Sequence, residues 1–262
     1  MEQATHIGLK IANTISNAAI ANVENNINKA RRAPYSLMST GLHGNNGLDP
    51  ETLLLLIKTC ITPMLLYGLE LILPNKTLTT KLERFQKKLL KQVLSLPQNT
   101  PVYAVYLLTG FLPVELQLHK KALVFFNICS QNEESIEKQL ARRQLAVKSN
   151  NSNSWFGVIK QILLKYNLND PIYLLDHPVE RQEWKREINK QLNTVWKEQI
   201  IHSLNLYQNL QYLSFDKYIP GKIHPILKVN CCPSRDVHRI QTKLKLITGT
   251  YNPTELNLEE ER

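Results

Sequence analysis

The spacing of apolar and polar residues predicts helices along almost the whole chain. Apolar side chains recur at intervals of three and four, the period of a helix with one buried face, whereas the alternation typical of a half-buried strand is nearly absent. One helix start is marked by Asp49-Pro50-Glu51, which supplies a capping carboxylate, a proline at the first helical position and an acidic first turn. The pattern therefore predicts an all-α fold, a multi-helix bundle.

Individual helices are bounded by the same capping and proline signals. A helix over 11–40 contains Pro34, which removes an amide donor and should kink or split it, and a loop follows at 43–47. The other predicted helices cover 52–72, 77–96, 100–110, 113–130, 133–148, 154–168, 170–175, 178–210 and 234–249.

A polar run divides the predicted helices into two subdomains. Residues 149–154 read Ser-Asn-Asn-Ser-Asn-Ser, a composition that cannot bury a core and is typical of a surface connection. The sequence thus predicts a helical bundle over 1–148, a linker at 149–153 and a second helical subdomain over 154–251. Residues 252–262, with four glutamates and one arginine, are predicted to be an acidic, disordered tail.

The charge of the chain favours an anionic partner. Among 262 residues, 32 are basic and 22 acidic, which gives a formal net charge of +10, while 43% apolar residues suffice for a buried core. Residues 1–150 hold 17 basic and 10 acidic side chains. An anionic polymer or surface is therefore a more suitable partner than a basic one.

Cysteine content and hydropathy indicate an intracellular protein that is not secreted. The four cysteines, Cys60, Cys129, Cys231 and Cys232, are too few for a disulfide framework, and no basic and apolar leader opens the chain. The stretch 53–73 is long enough to cross a bilayer but contains Lys58 and Glu70. Because each such charge costs roughly 2.5–3.5 kcal/mol at a bilayer centre, we expect a buried helix and no membrane partner.

The predicted helix over 77–96 has one apolar and one basic face. Its apolar stripe is formed by Leu78, Leu82, Phe85, Leu89 and Val93. The opposite side carries Lys81, Arg84, Lys87, Lys88 and Lys91, diluted by Glu83. Such a row would bind a phosphate backbone, since each neutralised phosphate releases condensed counterions. A solvated helix surface explains the same pattern, and both readings stay open.

Three further basic clusters extend this candidate nucleic-acid surface. They are Lys29 with Arg31 and Arg32, Lys120 with Lys121, and Arg142 with Arg143. If the helices fold together, these clusters could line one face with the helix over 77–96.

Metal and nucleophile motifs fit the sequence poorly. Cys231 and Cys232 lie between His224 and His238, but the ligand pairs of structural zinc sites are normally separated by two to four residues. His119 has the setting of a packing or surface histidine. No Gly-rich phosphate loop and no nucleophile elbow occurs in the sequence. We therefore expect no metal, no cofactor and no small-molecule substrate.

The acidic residues do not form a recognisable polymerase or nuclease centre. Two-metal phosphoryl chemistry needs carboxylates that hold two cations about 3.5–4 Å apart. Glu133 and Glu134 open a predicted helix, where interaction with the helix dipole accounts for them. The five aspartates are isolated from one another: Asp49, Asp170, Asp176, Asp216 and Asp236. The sequence thus predicts that this chain is not an enzyme on its own.

Several segments, in order, carry a resemblance to one family. The principal one is Pro63-Met64-Leu65-Leu66-Tyr67-Gly68-Leu69-Glu70, preceded by Gly47-Leu48-Asp49-Pro50-Glu51-Thr52. The supporting segments are Ala30-Arg31-Arg32, Leu96-Pro97 with Thr100, Ser154-Trp155-Phe156, Tyr218-Ile219-Pro220-Gly221-Lys222 and the run from Lys243 to Tyr251. Together they resemble the region that follows the catalytic palm in reverse transcriptases of non-LTR retrotransposons, over residues 6–251.

The resemblance implies that the basic helices are a thumb that grips template and primer. It makes 1–148 the thumb-like bundle, with 1–10 the end of the palm, and it places the palm's paired aspartates upstream of Met1. The family continues into a cysteine and histidine cluster, which 252–262 does not contain. The resemblance therefore implies a fragment truncated at both ends. An enzyme of this family would act in the cytoplasm or nucleus, which is the location that the resemblance implies.

The expected function is binding to nucleic acid, RNA or an RNA-containing duplex, through phosphate contacts and without catalysis. Two alternatives stay open. One is a helical protein-interaction module whose basic face meets an acidic partner. The other is a non-functional remnant of a retroelement, whose apolar positions, left exposed by the missing palm, would promote aggregation.

Overall fold

The computed structural model describes residues 4–38, 48–148, 152, 154–207, 210, 213, 218–228 and 234–251. These residues form the predicted all-α fold, to which the structure adds one short hairpin that was not predicted. The strands are β1 (Ala4–His6) and β2 (Leu9–Ile11). The longer helices are α1 (Ile15–Met38), α5 (Lys76–Val93), α7 (Val114–Ser130), α8 (Ile136–Val147), α9 (Trp155–Lys165), α11 (Arg181–Leu204) and α12 (Ser234–Ile247). The shorter ones are α2 (Pro50–Leu56), α3 (Thr62–Leu65), α4 (Leu69–Ile72), α6 (Val102–Thr109) and α10 (Pro171–Asp176).

Most predicted helices are present within about three residues of their expected bounds. Asp49 accepts a hydrogen bond from the Thr52 amide at 2.9 Å and caps α2, as its sequence position indicates. Helix α5 is capped by Asn75, whose side chain accepts from the Leu78 amide at 3.0 Å, and not by Thr77. Helix α11 ends at Leu204, six residues before the predicted end.

The structure differs from the predicted helix continuity in two places. Helix α1 is not split at Pro34, whose ring fixes a backbone angle close to the helical value and whose side chain is buried. The predicted helix over 52–72 is instead α2, a π-helical turn at Ile57–Ile61, α3 and α4. The wider turn, closed by the Thr62 amide on the Ile57 carbonyl, comes just before Pro63, which has no amide to donate.

The hairpin at 4–11 was not predicted. Its strands pair antiparallel, with Thr5 opposite Lys10, across a turn in which Ile7 and Gly8 have φ of 48° and 77°. Two residues with positive φ match the twist of a tight hairpin. Strands of three residues are too short to show alternation in the sequence, so no pattern marks them.

The chain divides into two compact units, each made of three segments. Unit 1 comprises Met1–Ile27, Leu65–Leu82 and Pro113–Lys197, and unit 2 comprises Asn28–Met64, Glu83–Leu112 and Glu198–Arg262. The predicted division at 149–153 does not coincide with these bounds, because α9 packs on α7 within unit 1. The predicted tail at 252–262 and most of the predicted linker lie outside the described residues, as does the predicted loop at 43–47.

Two asparagines one helical turn apart organise the amino-terminal half of unit 1. Asn22 bonds both the amide and the carbonyl of Lys10, at 2.9 and 2.7 Å. Asn26 donates to the carbonyls of Leu65 and Tyr67, at 3.3 and 2.8 Å. Both side chains are almost fully buried. Asn22 thus bonds the backbone of strand β2, and Asn26 satisfies carbonyls that the break between α3 and α4 would otherwise leave unpaired.

Tyr67 and Gly68, in the segment 63–70, both contact the hairpin. The Tyr67 hydroxyl donates to the Ile7 carbonyl at 2.8 Å. Gly68 has φ of 67°, and a Cβ on it would lie 2.2 Å from Leu9 Cδ2. The segment therefore combines a hydrogen-bond donor with a residue that has no side chain, directly under the hairpin.

Two indole donors join further helices of unit 1. Trp155 Nε1 donates to the Glu70 carbonyl at 2.9 Å, which joins α9 to α4. Trp184 Nε1 donates to the Leu123 carbonyl at 2.9 Å, which joins α11 to α7, and its side chain is 1% exposed. Each indole contributes apolar area and one donor to the core.

Unit 2 is closed by a contact between the end of α6 and a late loop. The Gly221 amide donates to the Gly110 carbonyl at 3.0 Å, and the His224 amide to the Leu108 carbonyl at 2.9 Å. Gly110 has φ of 68°, and a Cβ there would lie 2.1 Å from the Lys222 carbonyl oxygen. This approach of two backbones requires glycine at 110.

We predict that Gly110→Ala destabilises the protein by roughly 2–4 kcal/mol, through backbone strain and the clash with Lys222. Gly221→Ala is the matched control, since Gly221 also has positive φ, of 81°, but open space around its Cβ position. We expect the control to cost about 1 kcal/mol. Urea unfolding of both variants measures the difference. Equal decreases in the free energy of unfolding would contradict the close approach of Gly110 to the backbone of Lys222.

We predict that Asn26→Ala lowers the free energy of unfolding by about 2 kcal/mol, because the Leu65 and Tyr67 carbonyls lose a donor that water cannot replace. The exposed Asn28→Ala in the same helix controls for helix propensity. A loss in the Asn26 variant no larger than in the control would show that these carbonyls find other partners.

Candidate nucleic-acid interface

Helix α5 has the predicted apolar face. Leu78, Leu82, Leu89 and Val93 are buried, and Phe85 is half-buried. Gln86 is also buried, and its amide donates to the Leu112 carbonyl at 3.0 Å.

The outer face of α5 carries three of the predicted cations. Lys81, Arg84 and Lys88, spaced by three and four residues, are all exposed and lie on one stripe of the helix. Lys81 Nζ lies 4.0 Å from Glu24 Oε1. Arg84 and Lys88 form no ion pair with any described residue. Their charges are therefore available to an external anion.

Lys87 is less available than the sequence indicated. It is half-buried, and its Nζ lies 3.6 Å from Glu83 Oε1, one helical turn earlier. The same carboxylate accepts a hydrogen bond from the Tyr106 hydroxyl. Glu83 thus joins α5 to α6 and neutralises part of the charge of Lys87.

Lys91 lies in the core and not on the basic face. Its side chain is 7% exposed, and Nζ donates to the Gln98 carbonyl at 2.6 Å. Burial, with a contribution from the charge of Lys87, lowers the pKa of the Lys91 ammonium. Its aliphatic stem packs with the apolar face while the amine satisfies a carbonyl just beyond the helix, so sequence periodicity assigned it to the wrong surface.

The cluster on α1 is exposed. Lys29, Arg31 and Arg32 extend from the carboxyl-terminal half of the helix and form no ion pair with a described residue. All three belong to unit 2.

The other two clusters belong to unit 1 and are largely engaged. Lys120 and Lys121 are half-buried, and Lys121 Nζ lies 3.9 Å from Glu70 Oε2. Arg142 bonds Asp176 at 2.9 Å and lies 3.5 Å from Glu133. Arg143 is exposed without an ion pair to any described residue. The predicted cations are thus divided between two units.

Sequence reasoning missed exposed cations in the late part of unit 2. Lys222 and Lys228 are exposed in the loops around the segment that closes α6, and Lys243 is exposed on α12. Lys243 follows Arg239 by four residues on the outer face of α12. That spacing is the same signal that marked α5, and it could have identified this helix.

Unit 2 carries more of the net charge than unit 1. It holds 16 basic and 10 acidic side chains, a surplus of six, whereas unit 1 holds 16 and 12, a surplus of four. Of the acidic side chains of unit 2, four belong to residues 252–262. Unit 2 is therefore the more favourable of the two for a polyanion.

Three of the described aspartates have local structural roles. Asp49 and Asp170 cap α2 and α10, and Asp176 pairs with Arg142. Among the residues that the structure describes, no three His, Cys, Asp or Glu side chains lie close enough to hold a metal ion. Cys231, Cys232, and the side chains of Asp216, Asp236 and His238, lie outside the described part. His224 caps a 3₁₀ turn by accepting from the Ile226 amide at 3.2 Å.

Unit 1 contains an apolar pocket of about 500 Å³. Its aromatic wall is formed by Phe125, Trp155 and Phe156, with Trp155 edge-to-face against both other rings. Cys129 and Glu137 also line it, and burial, with the charge of Glu137, raises the pKa of the Cys129 thiol. The aromatic wall is suited to an apolar group, and Lys148, Ser154 and Gln144 add polar side chains to the lining.

His119 belongs to a packed polar cluster in unit 1. Its Nδ1 hydrogen-bonds the Tyr166 hydroxyl at 2.8 Å, and Lys165 donates to Glu115 at 2.5 Å beside it. Burial, with the nearby charge of Lys165, lowers the pKa of His119 to about 4 despite the attraction of Glu115. Burial also raises the pKa of the Tyr166 phenol. His119 is therefore neutral at physiological pH, in agreement with a packing role.

We predict that neutral burial of His119 makes the protein less stable below pH 6.5. Between pH 6.5 and about 4 the unfolded chain binds a proton at this residue and the native state does not, which costs about 3 kcal/mol at the acid end. Urea unfolding of the wild type and of His119→Gln from pH 7.5 to 4 isolates this contribution from that of the carboxylates. If the free energy of unfolding fell in parallel with pH for the wild type and the His119→Gln variant, the prediction would be contradicted.

Among the described helices, none is both long enough and apolar enough to cross a membrane. Comparisons of the chain with models of protein families, with curated proteins and with solved structures found no match.

Proposed function

We propose that this chain binds nucleic acid through phosphate contacts made by unit 2, without base specificity and without catalysis of its own. The observation that carries the proposal is the exposed face of α5, where Arg84 and Lys88 extend without ion pairs to described residues from a unit that has a surplus of six positive charges. Lys29, Arg31 and Arg32 add three exposed cations to the same unit.

Exposed, unpaired arginine and lysine side chains suit a polyanion better than a small anion. A single phosphate gains little from one solvated cation, whereas a backbone that meets several of them releases several counterions at once. Arginine adds bidentate hydrogen bonding to phosphate oxygens, which lysine cannot provide. The same features give no means of distinguishing bases, so binding is tolerant of sequence.

The resemblance of residues 6–251 to the post-palm region of non-LTR retrotransposon reverse transcriptases supports the same proposal. In that family the corresponding helices grip template and primer, which makes RNA or an RNA-containing duplex the preferred ligand here. The lack of a catalytic role is supported by the described aspartates, which act as helix caps or ion-pair partners.

We predict that Arg84→Ala with Lys88→Ala weakens binding to unrelated RNA hairpins, RNA–DNA hybrids and DNA duplexes alike. Losing two phosphate contacts should flatten the dependence of log affinity on log salt by about 1.8 for a duplex. Fluorescence anisotropy between 50 and 200 mM salt measures both quantities. Both side chains are exposed, so the variant should fold, whereas substitution of the buried Lys91 would disturb the core.

The matched control replaces two exposed lysines of unit 1, Lys190 and Lys197, with alanine and changes the net charge equally. An equal effect of both variants would show that only net charge matters and would contradict a binding face on unit 2. Titration with polyglutamate in place of RNA separates nucleic acid from an acidic protein partner. If the chain bound polyglutamate more tightly than RNA of equal charge, an acidic protein partner would be favoured.

A protein-interaction module is the second candidate. Helix α8 exposes Ile136, Leu140 and Val147 along one stripe, and Leu140 also lines the apolar pocket of unit 1. Apolar side chains on one exposed helix face are typical of a surface that meets another protein. Association through that stripe would be insensitive to salt and to the substitutions in α5.

A further inference from the structure

The apolar pocket of unit 1 is an open groove between three helices. Helices α7, α8 and α9 pack on one another, and each contributes side chains to its walls. Phe125 and Cys129 lie one turn apart on α7, and Trp155 and Phe156 begin α9 beside them. The groove that they line together with α8 has a volume of about 500 Å³. A space of this size can take several side chains of another molecule.

The groove leaves large apolar side chains in contact with solvent. Ile15, at the start of α1, is 74% exposed, Leu71 on α4 is 42% exposed and Leu140 on α8 is 46% exposed. Phe125 and Trp155 are only half-buried. Contiguous apolar side chains that a fold leaves in water mark a surface that another molecule covers.

Helix α8 places opposite charges at the two ends of the groove. Glu137, Leu140, Gln144 and Lys148 line it at spacings of three and four residues, and so they lie on one stripe. At 1.5 Å per residue, Glu137 and Lys148 are about 16 Å apart along the helix axis. Both are exposed, and neither forms an ion pair with a described residue. The groove thus has a negative end, an apolar middle and a positive end.

An amphipathic helix fits this groove better than an extended peptide does. The walls are helices, whose main-chain groups are bonded within the helix along most of the groove. An extended backbone laid between them would therefore find few partners for its amides and carbonyls. A helix satisfies its own backbone and presents apolar side chains at intervals of three and four. Eleven residues of helix span about 16 Å, which matches the separation of the two charges.

The two charges determine the direction in which such a helix lies. Acidic side chains are favourable in the first turn of a helix and basic ones in the last turn, because of the helix dipole. An acidic first turn suits Lys148, and a basic last turn suits Glu137. A helix antiparallel to α8 therefore satisfies its own dipole and the groove together. An acyl chain with one anionic head would suit Lys148 alone.

We propose that the groove of unit 1 binds an amphipathic helix of another protein, about three turns long, antiparallel to α8. The bound helix has an acidic first turn and a basic last turn, and the apolar side chains between them cover Ile15, Leu71 and Leu140. The contact is made by unit 1 alone and does not depend on the binding of nucleic acid by unit 2.

Display of random 16-residue peptides tests the class of ligand. The full chain is the target, and peptides that also bind the Leu140→Glu variant are removed. We expect the recovered peptides to share apolar residues at intervals of three and four, preceded by acidic and followed by basic residues. Failure to recover peptides would overturn the proposal, as would peptides with alternating apolar residues or with the charges in the opposite order.

The matched control for the groove is Ile136→Glu, which adds the same charge to α8 at a position that is 79% exposed and does not line the groove. By fluorescence anisotropy of a recovered peptide, we expect Leu140→Glu to weaken binding about tenfold or more, because it places a charge among apolar contacts. We expect less than about twofold for Ile136→Glu. Equal losses would overturn the groove as the site and indicate the outer stripe of α8 instead.

Charge reversal tests the direction of the bound helix. The double variant Glu137→Lys with Lys148→Glu keeps the net charge, and both side chains are exposed. It is compared with the wild type against a recovered peptide and a copy whose acidic and basic residues are exchanged. Because each peptide is measured on both proteins, its own tendency to form a helix cancels. We expect each protein to prefer the opposite peptide by roughly three- to tenfold, and an unchanged preference would overturn the antiparallel placement.

Two other occupants of the groove would give different results. Palmitate that binds more tightly than any recovered peptide, and that loses affinity in Lys148→Ala but not in Glu137→Ala, would overturn the proposal in favour of an amphiphile. Dimerisation of the full chain in analytical ultracentrifugation, abolished by Leu140→Glu and retained in Ile136→Glu, would overturn it in favour of a second copy. A monomer that binds the recovered peptides through Leu140 supports the proposal, whether or not the chain binds nucleic acid.

Discussion

The fold depends on supplying hydrogen-bond donors to backbone carbonyls that lie where helices break or meet. Several helices are only four to eight residues long, and each end leaves carbonyls without an intrahelical partner. Side-chain donors from other elements satisfy them, as Asn26 does for Leu65 and Tyr67, and Trp155 for Glu70. Without these donors the breaks would be buried and unpaired, which is more costly than the loss of an ordinary surface contact.

The same constraint separates the cations of α5 into two kinds. Lys91 is one of these donors, because the carbonyl of Gln98 lies within its reach and its stem is covered by apolar neighbours. Arg84 and Lys88 have no such carbonyl to serve and remain in solvent. The basic face is therefore narrower than charge periodicity indicates. Arg84 and Lys88, which belong to it, donate no hydrogen bond to a buried carbonyl of the described residues.

Local signals predicted the helices well and their assembly poorly. Capping and periodicity identified α2, α7, α9 and α12, because those signals act within a few residues. The hairpin, the π-helical turn and the two interleaved units depend on contacts between distant segments, such as Leu9 against Gly68. For the candidate site, sequence placed Arg84 and Lys88 correctly on an exposed face. Lys91 is buried and Arg142 pairs with Asp176 because of residues outside their own helices, and helix periodicity contains no information about those residues.

The interleaving of the two units has a consequence for folding during synthesis. Unit 1 contains no residue beyond Lys197, whereas in unit 2 the loop at 221–224 bonds the end of α6. As the ribosome releases the chain from its amino terminus, all residues of unit 1 are therefore present before the loop that covers the end of α6. A nascent chain stopped before residue 221 would thus hold one finished unit and one open to chaperones and proteases.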